Sequence, residues 1–317
     1  MSFLAWIIAP LWIAAGIGMY FFYARSRVLP SEDEIVVIEE EAAPAGDEYR
    51  VMVPIANPMN ALSLVGNTIK LCADRKTRIK LLHLTTVPDL LTLADAQQHI
   101  MEGKEGIVEA MLYLMPRFPL TTTILHCRNV ARGIVSAVRD KRINLLIMGW
   151  HGKKCDQRFR IGSTLDQVIS RSPCDIIILK DCGNKKFQST VVPVFRTPHD
   201  ELALETALRL TETGGQITLL PVENRKNLFP SKYLKDLMTK AAGQQVICLE
   251  PVLTDKTAAI LKTAGQYELM VLGIHRTRSF PMMAPHSLQE ALAHNWDNPL
   301  AIVKKAGGLG DFTKRWF

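Results

Sequence analysis

The chain has 317 residues, with 38 Lys and Arg against 31 Asp and Glu, which is length enough for two domains of ordinary size. Its six cysteines fall in no CxxC pair or other zinc spacing, which excludes a disulfide scaffold and argues against structural metal. The net charge of +7 hides an asymmetry: residues 31–48 hold eight acids and no base, so the body of the chain is strongly basic and can attract anions such as nucleotides or acidic lipid. No extended run of aromatic and basic residues suggests a nucleic-acid platform, which argues against a nucleic-acid partner.

In chain order, residues 3–23 (FLAWIIAPLWIAAGIGMYFFY) come first, with no charge among them. Twenty-one such residues suffice to cross a hydrocarbon core of about 30 Å, and Arg25 and Arg27 follow immediately. The stretch lacks a basic n-region and is too long for a cleaved signal. It predicts a single-pass membrane helix, with the basic flank placing the remaining chain in the cytoplasm. The segment WIIAPLWIAAGIGMYFFYARSR resembles the last span of an amino-acid permease of the amino acid–polyamine–organocation superfamily. That resemblance implies a link to an amino-acid transporter. Residues 31–48 then mix acids with Ala, Pro and Gly. The internal EIVVI has the composition of a short strand, but the like charges favour an extended linker.

The rest of the chain is a repeat. Tyr49–Pro58 (YRVMVPIANP) matches Gln188–Thr197 (QSTVVPVFRT), Arg78–Val87 matches Gln216–Arg225, Ile143–Gly152 matches Tyr267–Arg276, and Ser172–Asp181 matches Trp296–Lys305. In the first copy, short Ile/Val/Leu-rich runs at 50–55, 79–84, 121–127, 143–148 and 175–180 alternate with helical patterns near 59–75, 95–115, 130–141 and 163–171. Continuous short apolar runs are parallel strands buried on both faces. The alternation predicts an α/β class: two tandem Rossmann-like doubly wound parallel sheets, preceded by the membrane helix. The expected division is a membrane helix at 1–27, an acidic linker at 28–48, a first α/β domain at 49–183, a second at 187–306 and a tail at 307–317.

After the fourth strand comes Gly149-Trp150-His151-Gly152, nine residues, then Gly162-Ser163-Thr164 opening a helical pattern. Glycines let backbone N–H groups approach an anion, a helix start favours negative charge, and Lys153, Lys154, Arg158 and Arg160 lie between the glycines. Without a ligand, Ser163 and Asp166 make a capping box and the glycines a simple turn. The full spacing in this strand context resembles the nucleotide-binding motif of the universal stress protein family, over about residues 49–305 in two copies. The resemblance implies an adenine nucleotide, ATP or AMP: Gly149, Gly152, Gly162, Ser163 and Thr164 would hold phosphates and ribose, Pro54, Ile55, Ala56 and Leu84 would wall the adenine, and Met148 would lie beside the loop. ATP-binding members carry an aspartate where this chain has Ala56, with Asn57 next; losing it costs about 1–3 kcal/mol.

The second copy reads Gly273-Ile274-His275-Arg276, nine residues, then His286-Ser287, with Phe195 at the position of Ala56. Arg276 and His286 replace two glycines, so this copy is expected to be degenerate and to pair with the first, covering its edge; a homodimer is compatible with that. No P-loop lysine motif or paired carboxylates mark a catalytic or metal site, so no enzyme activity is expected. His151 reads as a loop residue, His83 as a satisfied core histidine and Cys155 as a bystander thiol. The sequence leaves two functions open: a regulatory nucleotide-binding module at the membrane, or a ligand-free interaction scaffold of the same fold.

Overall fold

The computed structural model describes residues 12, 13, 17, 35–40, 48–55, 58–86, 108, 110–112, 114, 115, 118–150, 163–183, 185–223, 231–239, 245–253, 257–274 and 288–307. Among them are the strands β1 (Ile35–Glu40), β2 (Tyr49–Pro54), β3 (Thr77–Thr86), β4 (Leu120–Cys127), β5 (Leu145–Trp150) and β6 (Asp175–Lys180). A second set comprises β7 (Phe187–Val194), β8 (Thr211–Glu223), β9 (Gln245–Cys248), β10 (Val252–Leu253), β11 (Leu269–Gly273) and β12 (Leu300–Lys304). The helices are α1 (Pro58–Cys72), α2 (Val130–Asp140), α3 (Ser163–Arg171), α4 (Asp200–Leu210), α5 (Ser231–Thr239), α6 (Thr257–Ala264) and α7 (Leu288–Asn295).

The apolar runs became strands because they can be buried on both faces. Val51, Met52 and Val53 of β2 and Leu146 and Ile147 of β5 are all fully buried, which only a sheet covered on both sides allows. Within the first half the strands β2, β3, β4, β5 and β6 are mutually parallel and lie in the order β4-β3-β2-β5-β6. The second half repeats this order as β9-β8-β7-β11-β12. In each half the strand order reverses beside the first strand of the repeat, between β2 and β5 and between β7 and β11.

Two sequence expectations are corrected here. The halves do not form two separate sheets. β6 and β12 pair antiparallel, Lys180 with Leu300 through Lys304 with Ile176, and fuse all twelve strands into one sheet. An apolar edge strand such as DIIILK is poorly tolerated bare, and the second copy covers it, as its pairing role required. Residues 35–40 of the expected linker are strand β1, which pairs antiparallel with β4 from Ile35 opposite Cys127 to Glu40 opposite Thr123. Charge repulsion extends such a segment, and an extended segment carrying Ile-Val-Val-Ile is already in the conformation an open sheet edge accepts.

Helices cover both faces of the fused sheet. α1, α4 and α5 contribute Ala61, Leu64, Val65, Leu202, Ala203 and Leu237 to one core layer. α2, α3, α6 and α7 contribute Ile134, Val138, Val168, Ile169, Ile260 and Leu292 to the other. α2 starts where Asn129 accepts the backbone N–H of Arg132 at 3.1 Å, an N-cap contact. Across the two halves, Arg75 and Arg209 both bind the Glu205 carboxylate, and Arg209 donates to the Leu71 carbonyl, so α4 is tied to the end of α1.

The membrane helix expected at 3–23 lies outside the described residues except for Trp12, Ile13 and Ile17, which are helical and exposed. Among the described residues no helix is long and apolar enough to cross a membrane.

Candidate functional site

In an open α/β sheet the crevice beyond the carboxyl ends of the strands, where strand order reverses, is where ligands bind. In the first half that point lies between β2 and β5. Their register pairs Val51 with Leu145 and Met52 with Leu146, which brings Pro54 level with Met148. Gly149 follows Met148 and pairs with Leu179 of β6. α3 begins at Ser163, with Thr164 half-buried on its first turn and Asp166 buried behind it.

The residues expected to wall the adenine are divided between the two faces of the sheet. Met148 and Leu84 join the layer under α2 and α3. Leu84 is held close by Gly133 of α2, where an added Cβ would stand 2.5 Å from Leu84 Cδ2 and 3.2 Å from Cys127 Sγ. That close approach explains a glycine inside a helix, where it otherwise costs about 1 kcal/mol. The side chain of Ile55 is buried in the opposite layer with Val53 and Leu81. Its backbone N–H donates to the Leu82 carbonyl at 2.8 Å, and its carbonyl lies 3.1 Å from His83 Nδ1. His83 is thus the satisfied core histidine the sequence indicated. Ala56, Gly152, Gly162, His151 and Cys155 lie outside the described residues, as do Arg276 and His286, and the side chain of Ser163 is likewise not described.

Two features of this region escaped the sequence reading. The Lys180 ammonium lies 5.3 Å from the centroid of the Trp150 ring, within cation–π range. The same ammonium donates to the Trp296 carbonyl of the second half at 2.9 Å. The recurrence of a lysine at the end of both last strands was the available signal.

The second feature is the equivalent crevice between β7 and β11, which is filled by the protein itself. An added Cβ on Gly273 would stand 2.9 Å from His199 Cβ and 3.7 Å from Asp200 Oδ1. Asp200 is fully buried. It accepts from the backbone N–H and hydroxyl of Thr197, each at 2.9 Å, from the Tyr233 hydroxyl at 2.9 Å and from the Phe195 N–H at 3.5 Å. Burial pushes its carboxyl pKa up, although these donors pull the other way. His199 Nδ1 accepts from the Lys305 N–H at 3.0 Å. His199 and Asp200, at the start of α4, thus occupy the space beside Gly273.

Four described cysteines are held as neutral thiols. Burial raises the thiols of Cys72 and Cys127 to about 11 and those of Cys174 and Cys182 to about 12, so none is a thiolate near neutrality. No group of three metal-ligating side chains occurs among the described residues.

Comparison with known proteins places this geometry. The universal stress protein family matches residues 49–180. The Na(+)/H(+) antiporter NhaS5 of Synechocystis sp. (strain PCC 6803) is 27% identical over 165 residues, 48% of this chain; the match spans 23% of the antiporter's length, so the chain corresponds to about a quarter of that relative. Among solved structures, a universal stress protein from Archaeoglobus fulgidus covers 82% of this chain and 97% of its own at TM-score 0.59 and 16% identity. The cytoplasmic domain of a prokaryotic cation chloride cotransporter covers 84% and 99% at TM-score 0.52 and 10% identity. At such identities the structures establish the fold, shared across both halves. Strand order and the family match agree on a universal stress protein domain over residues 49–180.

Proposed function

We propose that this chain is a regulatory module of a membrane transport protein, and that its first half binds an adenine nucleotide, ATP or AMP, at the reversal between β2 and β5. The observation that carries the reading is the end of strand β5 at Met148–Gly149. It sits level with Pro54 on the neighbouring strand and leads through the Gly152 and Gly162 spacing into α3. Backbone N–H groups there and the start of α3 suit phosphate, and four basic residues lie between Gly152 and Gly162. In this reading the module holds nucleotide without turning it over, and the second half serves as its partner.

The transporter part of the proposal rests on likeness to a segment of an antiporter and to the fold of a cotransporter's cytoplasmic domain. Within it, the apolar stretch 3–23 is a single-pass anchor with the body on the cytoplasmic side. Its resemblance to a permease span makes an amino-acid transporter the narrower reading. The test is calorimetry of the wild type and Gly152→Arg with ATP and with AMP. Wild type is expected to bind, and the variant, which copies Arg276 of the second half, to lose binding while keeping its circular dichroism spectrum. Equal binding by both would move the site elsewhere, and no binding by wild type would favour the ligand-free scaffold.

A further inference from the structure

The antiparallel seam gives the molecule an internal two-fold relation. Ile178 faces Ile302 at its centre, and the register carries Lys180 and Lys304 to equivalent positions. These lysines are 124 positions apart, as are Ser172 and Trp296. The hydrogen bonds obey the same relation. Lys180 Nζ donates to the Trp296 carbonyl at 2.9 Å, just past the end of α7. Lys304 Nζ donates to the Ser172 carbonyl at 3.1 Å, just past the end of α3, and also to the Ile169 carbonyl within that helix. Each half's last strand therefore supplies an ammonium to the carboxyl end of the other half's last helix.

Such a lysine meets two needs of a helix end. The final carbonyls have no partner inside the helix, and a cation there is favoured by the helix dipole. α3 is nine residues long, about 13 Å at 1.5 Å per residue. Leu165, Val168 and Ile169 are buried on the sheet, so the helix packs and moves as a rigid rod. Its far end is the one that follows the phosphate turn. Lys180 meanwhile ties Trp150, the residue after Gly149, to the second half through its ring contact. Trp150 and α3, the described elements before and after residues 151–162 in sequence, are thus each held by contacts that involve the other half.

Resting on the nucleotide-binding reading above, we infer that Lys304 of the second half is a positioning residue for the phosphate turn of the first, acting through α3. The second half then contributes to binding without touching ligand. The test uses the full chain in detergent, titrated with ATP and with AMP. Lys304→Met is expected to weaken ATP binding five- to ten-fold and to speed hydrogen exchange in residues 163–171. Lys304→Arg, which keeps a cation and its donors, is expected to stay within two-fold of wild type. Arg75→Ala loosens a different inter-half contact, to Glu205, that lies away from α3, and is expected to leave the affinity unchanged. If Lys304→Met does not fold, Lys304→Gln is expected to show a two- to three-fold loss. Unchanged affinity in the folded Met or Gln variant overturns this inference alone, as does an equal loss in Arg75→Ala. A wild type that binds neither nucleotide overturns the binding reading and this inference with it.

Discussion

The two halves share one strand order and one helix layout, yet differ at the start of their first helices. Ala61 stands seven residues after Pro54, and Asp200 stands seven residues after Pro193. Ala61 is a buried methyl in a core layer. Asp200 is a buried carboxylate that gathers two backbone N–H groups and two hydroxyls at the end of β7. A buried charge is tolerated only when its acceptor capacity is met, and here the protein meets it from Thr197, Phe195 and Tyr233. The second half thus places a hydrogen-bonded carboxylate at the end of β7, and the neighbouring His199 packs tightly against Gly273. One fold can thus carry a buried methyl at this position in one half and a hydrogen-bonded carboxylate in the other.

The comparison can be broken most directly at that carboxylate. Asp200→Ala would strand buried donors, each costing about 1–3 kcal/mol when unsatisfied. We expect a stability loss of about 2–4 kcal/mol by denaturant titration, with first-half nucleotide affinity unchanged. A loss below about 0.5 kcal/mol would mean the network is not holding the second crevice shut.

A smaller effect is expected on the other side of the comparison. Ala56→Asp restores the carboxylate that the family resemblance places beside adenine. One hydrogen bond from a charged group, less its desolvation, is about 1–2 kcal/mol, so affinity for ATP and AMP alike should rise roughly ten-fold. A gain for ATP only would place the new carboxylate near the phosphates.

The smallest effect separates burial from hydrogen bonding at Asp200. Burial outweighs the donors and raises its pKa above 3.8. The folded state therefore keeps the proton to higher pH than the unfolded state. The carboxyl's contribution is fully present below about pH 3.8 and is lost as pH rises through the folded value. Asp200→Asn does not titrate, so its stability relative to wild type should improve as pH rises from about 3.8 through the raised folded value. A change of the opposite sign would show that the donors dominate.

Much of this architecture was legible because the chemistry is local. Runs such as LLIM and DIIIL cannot be helices of useful length, and their continuity marks two-sided burial. The repeat was legible because Gly149–Lys180 and Gly273–Lys304 keep one spacing. What stayed hidden depends on partners distant in sequence. β1 reads as a charged linker until an open edge at β4 is available to pair with it. DIIILK signals a buried strand, but nothing in it says that its neighbour is LAIVK running the other way. Asp200 looks like a first-turn acid of an ordinary helix, and only the arrival of Tyr233 from α5 shows it to be a buried network. Lys180 and Lys304 look like solvated strand ends until the seam sets each against the other half's helix. At the site itself, the strand ending at Met148–Gly149 was legible, whereas the division of Ile55 and Leu84 between opposite faces follows from the pleat and from the packing of α2.

The seam between β6 and β12 also fixes what this molecule is free to change. Two identical subunits joined across a dyad must carry every substitution twice. Here the dyad runs through a single chain, so its sides can be altered one at a time. Their encounter is intramolecular, with an effective concentration that dilution does not lower. One side can then specialise as a fixed counterpart for the other, and the pair persists at whatever abundance the cell maintains.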